Sequence, residues 1–241
     1  MTLSWVWILA LGFAPGLAIM LYIFWKDRLN REPLHLLFLC FLAGVMAIIP
    51  AILLEIAFGK IFPDLASGNF LQIAIHAFIG IGLIEEFTKF YTLKKAVWKS
   101  AYFDEPFDGI TYSVMVAMGF ATAENIAYIW KANISGAGMA TATLRAFTAV
   151  PAHASFGILI GYFLGFARFK PDHSGIYQFA ALFFATLFHG AYDFFLFTQE
   201  MTGTILGAII SLVTGIYFSR KAIQIHGNKK EQWFLDEQKE N

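Results

Sequence analysis

The chain has 241 residues, is 58% hydrophobic and carries only 14% charged side chains. A soluble domain carries roughly 25% charged residues, so too little polar surface is present to coat a water-facing globule, and lipid is the expected solvent for most of the chain. The net charge of zero gives no electrostatic footprint for nucleic acid, and the single cysteine, Cys40, excludes an internal disulfide and any CxxC metal or redox motif.

Seven apolar segments follow one another: Ser4–Trp25, Leu34–Phe58, Phe70–Leu93, Asp108–Trp130, Met139–Ala167, Tyr177–Thr198 and Thr202–Phe218. Each is close to the ~20 residues that cross a bilayer core as a helix. The first lacks a basic leader and a small-x-small cleavage site, so it reads as a helix of the mature protein rather than a signal peptide. Cys40 lies mid-span among Leu and Phe as an inert apolar residue. The expected fold is all-α, a polytopic membrane bundle of about seven helices. One transmembrane domain covers 1–218, its core helices lie in 70–198, and a charged tail fills 219–241.

Loop charges alternate along the chain. Lys26, Arg28 and Arg31 follow the first segment, Lys94, Lys95 and Lys99 the third, Arg168 and Lys170 the fifth, and Arg220, Lys221, Lys229 and Lys230 the last. The intervening loops hold only Lys60 and Lys131. The positive-inside rule then places the N-terminus outside and the C-terminus in the cytoplasm.

Ionisable residues inside spans are costly and are functional candidates by default. Here they concentrate in segments three to six: Glu85, Glu86 and Lys89; Asp108, Glu124 and Asn125; Arg145 and His153; His189 and Asp193. Glu55 lies near the end of the second segment. Counting from the segment ends puts Glu86 roughly 24 Å deep, His153 roughly 21 Å and His189 roughly 14 Å, close enough to converge, with Glu124 shallower. Lys89 is placed to neutralise Glu85 or Glu86 at i+4 or i+3. Asp193, four residues after His189, shares its face and can orient the imidazole or join it at a metal. His153, Gly157, Gly161 and Gly165 form a small-residue stripe that permits close helix approach.

Two carboxylates and two histidines converging in a dry pocket suit divalent metal, zinc first. A carboxylate outside the ligand set could act as general base on metal-bound water. The same groups could hydrolyse without metal, a glutamate activating water beside a histidine. Plainer readings compete: an ion pair of Glu85 with Lys89, a bridge between Glu124 and Arg145, Asp108 as an N-cap. His35, His173 and His226 read as interfacial and His76 as packing. No HExxH and no GxSxG occurs, which argues against zincins, site-2-type membrane metalloproteases and rhomboid-like serine proteases.

Five motifs in order carry a family likeness. They are Asp27-Arg28-Leu29-Asn30-Arg31-Glu32-Pro33; Glu85-Glu86-Phe87-Thr88-Lys89; Asp108-Gly109-Ile110-Thr111-Tyr112 leading to Gly119-Phe120-Ala121-Thr122-Ala123-Glu124-Asn125; Pro151-Ala152-His153; and His189-Gly190-Ala191-Tyr192-Asp193. Over about residues 22–200 the chain resembles the PrsW family of intramembrane proteases, related to the type II CAAX prenyl proteases. Asn30 stands where an acidic residue is common in that family. The resemblance implies an endopeptidase acting on membrane-anchored proteins such as anti-sigma factors. It makes Glu85, Glu86, His153, His189 and Asp193 the expected catalytic residues. His153, His189, Glu86 and Glu124 are the expected metal ligands, with Glu124 falling near the first histidine of the CAAX enzymes. A non-catalytic scaffold or chaperone for transmembrane helices is the alternative from another class. An ion-coupled transporter is a third, disfavoured by the missing inverted repeat.

Overall fold

The computed structural model describes residues 2–27, 29–198 and 205–240, with side chains through residue 228. Arg28 in the first charged loop and Thr202 at the start of the seventh segment lie outside them. Among the described residues there are eight α-helices: α1 Trp5–Lys26, α2 Leu34–Ile61, α3 Phe70–Val97, α4 Pro106–Ile134, α5 Gly138–Phe147, α6 Ala149–Phe169, α7 Ser174–Phe197 and α8 Leu206–Glu240. Among the described residues there is no strand. With α5 and α6 counted as one crossing, six segments are long and apolar enough to span a membrane, and α4 is a seventh of sufficient length. The chain is a multi-pass membrane protein.

Local chemistry sets the helix starts. Asn69 and Gln72 form a reciprocal cap at the head of α3, Asn69 Oδ1 accepting from the Gln72 N–H at 3.1 Å and Gln72 Oε1 from the Asn69 N–H at 2.9 Å. Pro106 opens α4, where its missing N–H costs nothing. Asp108 is the third residue of α4 rather than its N-cap: its Oδ2 accepts from the N–H groups of Asp104 at 3.0 Å and Glu105 at 2.8 Å, from inside the first turn.

α4 is the axis of the bundle. Residues 107–122 are all buried, which explains why this helix is the least apolar of the seven: it faces protein rather than lipid. Glycines of α2 and α6 let those helices come close to it. A Cβ on Gly161 of α6 would fall on the Gly109 carbonyl oxygen, and one on Gly44 of α2 would fall on that of Val116. The stripe read from His153 to Gly165 therefore brings α6 into backbone contact with α4, as small residues do in membranes. The outer faces are greasy, with Leu39, Met46 and Leu53 of α2 open to lipid.

Two departures from regular helix shape the interior. The fifth segment is not one helix: it breaks at Thr148, between α5 and α6. Pro151 falls in the first turn of α6, where its absent N–H has no partner to lose, whereas Pro15 and Pro50 lie inside α1 and α2, which run on unbroken. Within α3, residues His76–Leu83 form a π-helical stretch directly before Glu85 and Glu86. Such stretches re-phase a helix and favour functional sites; beyond this one Glu85, Glu86 and Lys89 point inward while Phe87 faces lipid.

At the far end, α8 continues as one helix past residue 218 to Glu240. His226 on it is not interfacial. It is buried between Tyr162 and Phe166, its Nε2 3.0 Å from the Tyr162 carbonyl oxygen. His76 packs between Phe58 and Phe197.

Candidate active site

Four helices deliver the polar residues to one point. α3 supplies Glu85, Glu86 and Lys89; α4 supplies Glu124 and Asn125; α6 supplies His153; α7 supplies His189 and Asp193. Lys89 Nζ stands at the centre, 3.0 Å from Glu85 Oε2, 2.8 Å from Glu86 Oε1 and 3.1 Å from His153 Nδ1. It also lies over the Phe120 ring, 4.1 Å from its centroid. Glu86 and Lys89 are fully shut off from the surroundings, at 0% and 3% exposure.

The two histidines are held alike. His189 Nδ1 is 2.8 Å from Glu86 Oε1, and its Nε2 is 3.3 Å from Asp193 Oδ2 on the other side. With carboxylates at both nitrogens, the ring donates to both in its protonated form. His153 Nε2 is 2.7 Å from Glu124 Oε2. Its Nδ1 faces the Lys89 ammonium, which can only donate, so Nδ1 accepts and Nε2 carries the proton to Glu124. Each imidazole thus rests one nitrogen on a carboxylate behind it, Glu124 or Asp193, while the other nitrogen meets Lys89 in His153 and Glu86 in His189. The rings pack edge to face, 5.4 Å apart, and Phe156 stacks on His189 at 4.8 Å.

Arg145 closes the outer layer. Its Nη2 donates to Glu124 Oε2 at 2.7 Å and its Nε to Asn125 Oδ1 at 2.6 Å. The Glu124–Arg145 bridge is present, and Glu124 contacts His153 as well. The depth count put His153 too deep relative to Glu124, because it took the fifth segment as one straight helix. With the chain broken at Thr148, His153 starts a new helix level with Glu124.

One ligand atom each from Glu85, Glu86, His153 and His189 lies within 4.8 Å of all the others. Glu86 Oε2 is buried there with no hydrogen-bond partner among the described residues. Two imidazoles, two carboxylates and an unsatisfied carboxylate oxygen are a donor set that fits a divalent metal. Glu124 falls outside that set of four.

The cluster lies on the wall of a cavity of about 580 Å³ bordered by α2 to α8. Its far wall is apolar, from Ile48 and Ile52 of α2 to Ala208 and Leu212 of α8. Tyr128, Phe197 and Ile205, near the helix ends that flank the 135–137 and 198–205 connections, also line it, so the cavity lies toward that face of the bundle. Glu55 lines it too, a residue that spacing alone did not single out; only its place on one stripe with Ile48 and Ile52 could have flagged it.

Residues 32–219 match the PrsW family intramembrane metalloprotease. The chain is 35% identical over 190 residues to "Protease PrsW" of Bacillus subtilis (strain 168), covering 78% of this chain and 82% of that protein. It is 35% identical over 200 residues to "Protease PrsW" of Geobacillus kaustophilus (strain HTA426), covering 83% and 84%. The protein of that name from Clostridioides difficile (strain 630) is 35% identical over 198 residues, covering 81% and 82%. No solved structure matches the chain.

Proposed function

This chain belongs to the PrsW family of intramembrane metalloproteases, and from that premise we propose that it hydrolyses a peptide bond of a membrane-anchored protein, of the anti-sigma-factor kind, inside the cavity bordered by α2 to α8. The observation that carries this reading is the pair of imidazoles, each backed by a carboxylate, with a donor atom of each within 4.8 Å of Glu85 and Glu86. Such a carboxylate behind a ring fixes its tautomer and aim, as at many metal centres.

The roles follow from the contacts. Glu86 takes a proton from the attacking water through Oε2, the oxygen without a partner. The new C–O bond forms at the scissile carbonyl carbon, and the C–N bond breaks as His189 passes a proton to the departing amine. Asp193 keeps His189 in register for that transfer. Glu124, clamped by Arg145, orients His153. Lys89 offsets the adjacent charges of Glu85 and Glu86.

In a metal-dependent reaction Glu85, Glu86, His153 and His189 would hold the ion instead, the mixed nitrogen and oxygen donors favouring zinc, and the proton roles given above to Glu86 and His189 belong to the metal-free reaction. A bound zinc ion supplies an electrophile for the carbonyl and makes water more acidic. Glu85, Glu86, Glu124 and Asp193 against Lys89 and Arg145 leave two negative charges when both rings are neutral. A divalent cation, or protons on the rings, balances them. A second reading rests on Lys89, whose ammonium fills the space between three of the four donors: the lysine would be the resident cation and the reaction metal-free. Zinc at about one equivalent in purified protein, lost in His153→Ala, supports the first reading; active protein without metal supports the second.

By the charge alternation of the loops, the cavity lies toward the outer leaflet, the N-terminus is outside, and residues 219–241 form a cytoplasmic tail to a membrane domain over 1–218. Terminus profiling by mass spectrometry in cells with wild-type or Glu86→Ala protein tests the function. New termini in or beside transmembrane segments, seen with wild type alone, support it. Identical profiles would favour a scaffold that only binds such helices.

A further inference from the structure

Every charged side chain on the cavity wall except one is committed to a neighbour. Glu85 is bound to Lys89, Glu124 to Arg145 and His153, and Asp193 to His189. Glu55 is the exception: among the described residues it makes neither a hydrogen bond nor an ion pair, yet it lines the cavity and is only partly exposed. Its helix gives it no local relief, since Ile48 and Ile52 on the same stripe are apolar. The groups facing it across the cavity are mostly of its own sign, Glu85, Glu124 and Asp193, and the cations Lys89 and Arg145 are already bound to other carboxylates.

A carboxylate within the membrane without a counter-charge is costly, and its expected complement is a cation brought by something else. The cavity admits one class of visitor on the reading above, a substrate segment. Glu55 sits six residues before the end of α2, about 9 Å along the helix, on the side of the catalytic cluster that faces the 62–69 connection. We propose that Glu55 is a specificity determinant that pairs with a lysine or arginine side chain of the substrate, at a fixed offset from the scissile bond on that side. A segment without such a cation would leave Glu55 opposite apolar surface and would bind less well. This inference rests on the protease reading and adds what the site selects.

Terminus profiling in cells carrying wild-type protein, Glu55→Gln or Glu55→Lys tests it. The expected result is a wild-type set of cleaved segments with Lys or Arg enriched about tenfold at one offset from the cut. That enrichment disappears with Glu55→Gln and gives way to Asp or Glu at the same offset with Glu55→Lys. Unchanged sequence preference in both variants overturns the proposal, as does a wild-type set with no basic preference. Complete loss of cleavage by membrane-inserted Glu55→Gln also overturns it, by placing Glu55 in the chemistry. Absence of any terminus that depends on Glu86 removes the protease reading itself, and this one with it, which distinguishes the two failures.

Discussion

Two buried carboxylate clusters lie toward opposite ends of α4, and they are built on different plans. Asp108 and Glu124 are separated by sixteen residues of one helix, about 24 Å. At the first cluster one oxygen each of Asp27, Glu32 and Asp108 comes within 4.8 Å of the others; Asp108 accepts from the Asp104 and Glu105 N–H groups and shares a hydrogen bond with Glu32, Asp27 accepts from the Thr111 hydroxyl, and Glu32 accepts from the Tyr112 hydroxyl. At the second, Glu85, Glu86, Glu124 and Asp193 are interleaved with two imidazoles, an ammonium and a guanidinium, beside a cavity. Backbone and hydroxyl donors hold an anion in place. Imidazoles beside carboxylates can pass protons and bind metal. Buried acidity alone therefore says little about chemistry, and the type of partner says much.

The sharpest way to test that contrast is to remove proton-transfer groups. Glu86→Ala and His189→Ala are each expected to lower cleavage by about 10³-fold or more, with membrane insertion and yield unchanged, read by immunoblot of a substrate fragment and of the protein itself. Next in size is Glu124→Gln. A group that orients a ligand histidine typically contributes 10–100-fold, and that is the expected loss of activity, with a parallel loss of bound zinc. Arg145→Gln should reproduce part of it, and the double variant should lose no more than Glu124→Gln alone, because Arg145 acts through Glu124.

Much of this second cluster was legible in the sequence. Hydropathy marked the spans, and charges within them marked segments three to six, because lipid leaves so few reasons to keep an ionisable side chain. The i+3 and i+4 spacings gave the Glu85–Lys89 and His189–Asp193 pairs, and the glycine stripe gave the close approach of α6. What spacing could not give was level. Depth counts assume straight helices, and the chain departs from them at Thr148 and in the π-helical stretch His76–Leu83. Pro151 did not distinguish the first, since Pro15 and Pro50 lie inside unbroken helices, and nothing in the apolar run from Ala77 to Leu83 marks the second. The enclosure of α4 was also hidden, since it depends on glycines in two other helices, Gly44 of α2 and Gly161 of α6, which a reading of one segment at a time does not combine.

The smaller effects concern framework rather than chemistry. Gly161→Ala places a methyl group against the Gly109 carbonyl. Overpacking of that kind costs about 1–3 kcal/mol, so a lower melting temperature in detergent is expected, with a moderate loss of activity because α6 also carries His153. Asp108→Asn is the mildest change and the most informative about the comparison. Its Oδ2 satisfies two N–H groups at the head of α4, and an amide oxygen can accept from both less strongly, so a loss of about 1 kcal/mol is expected. Cleavage per folded molecule should stay within about twofold of wild type, since no proton need move at that end of the helix. A large fall in specific activity with the melting temperature unchanged would break the contrast, because the first cluster would then be taking part in the reaction across the length of α4. A fall in melting temperature alone would confine the chemistry to the cluster whose carboxylates face imidazoles.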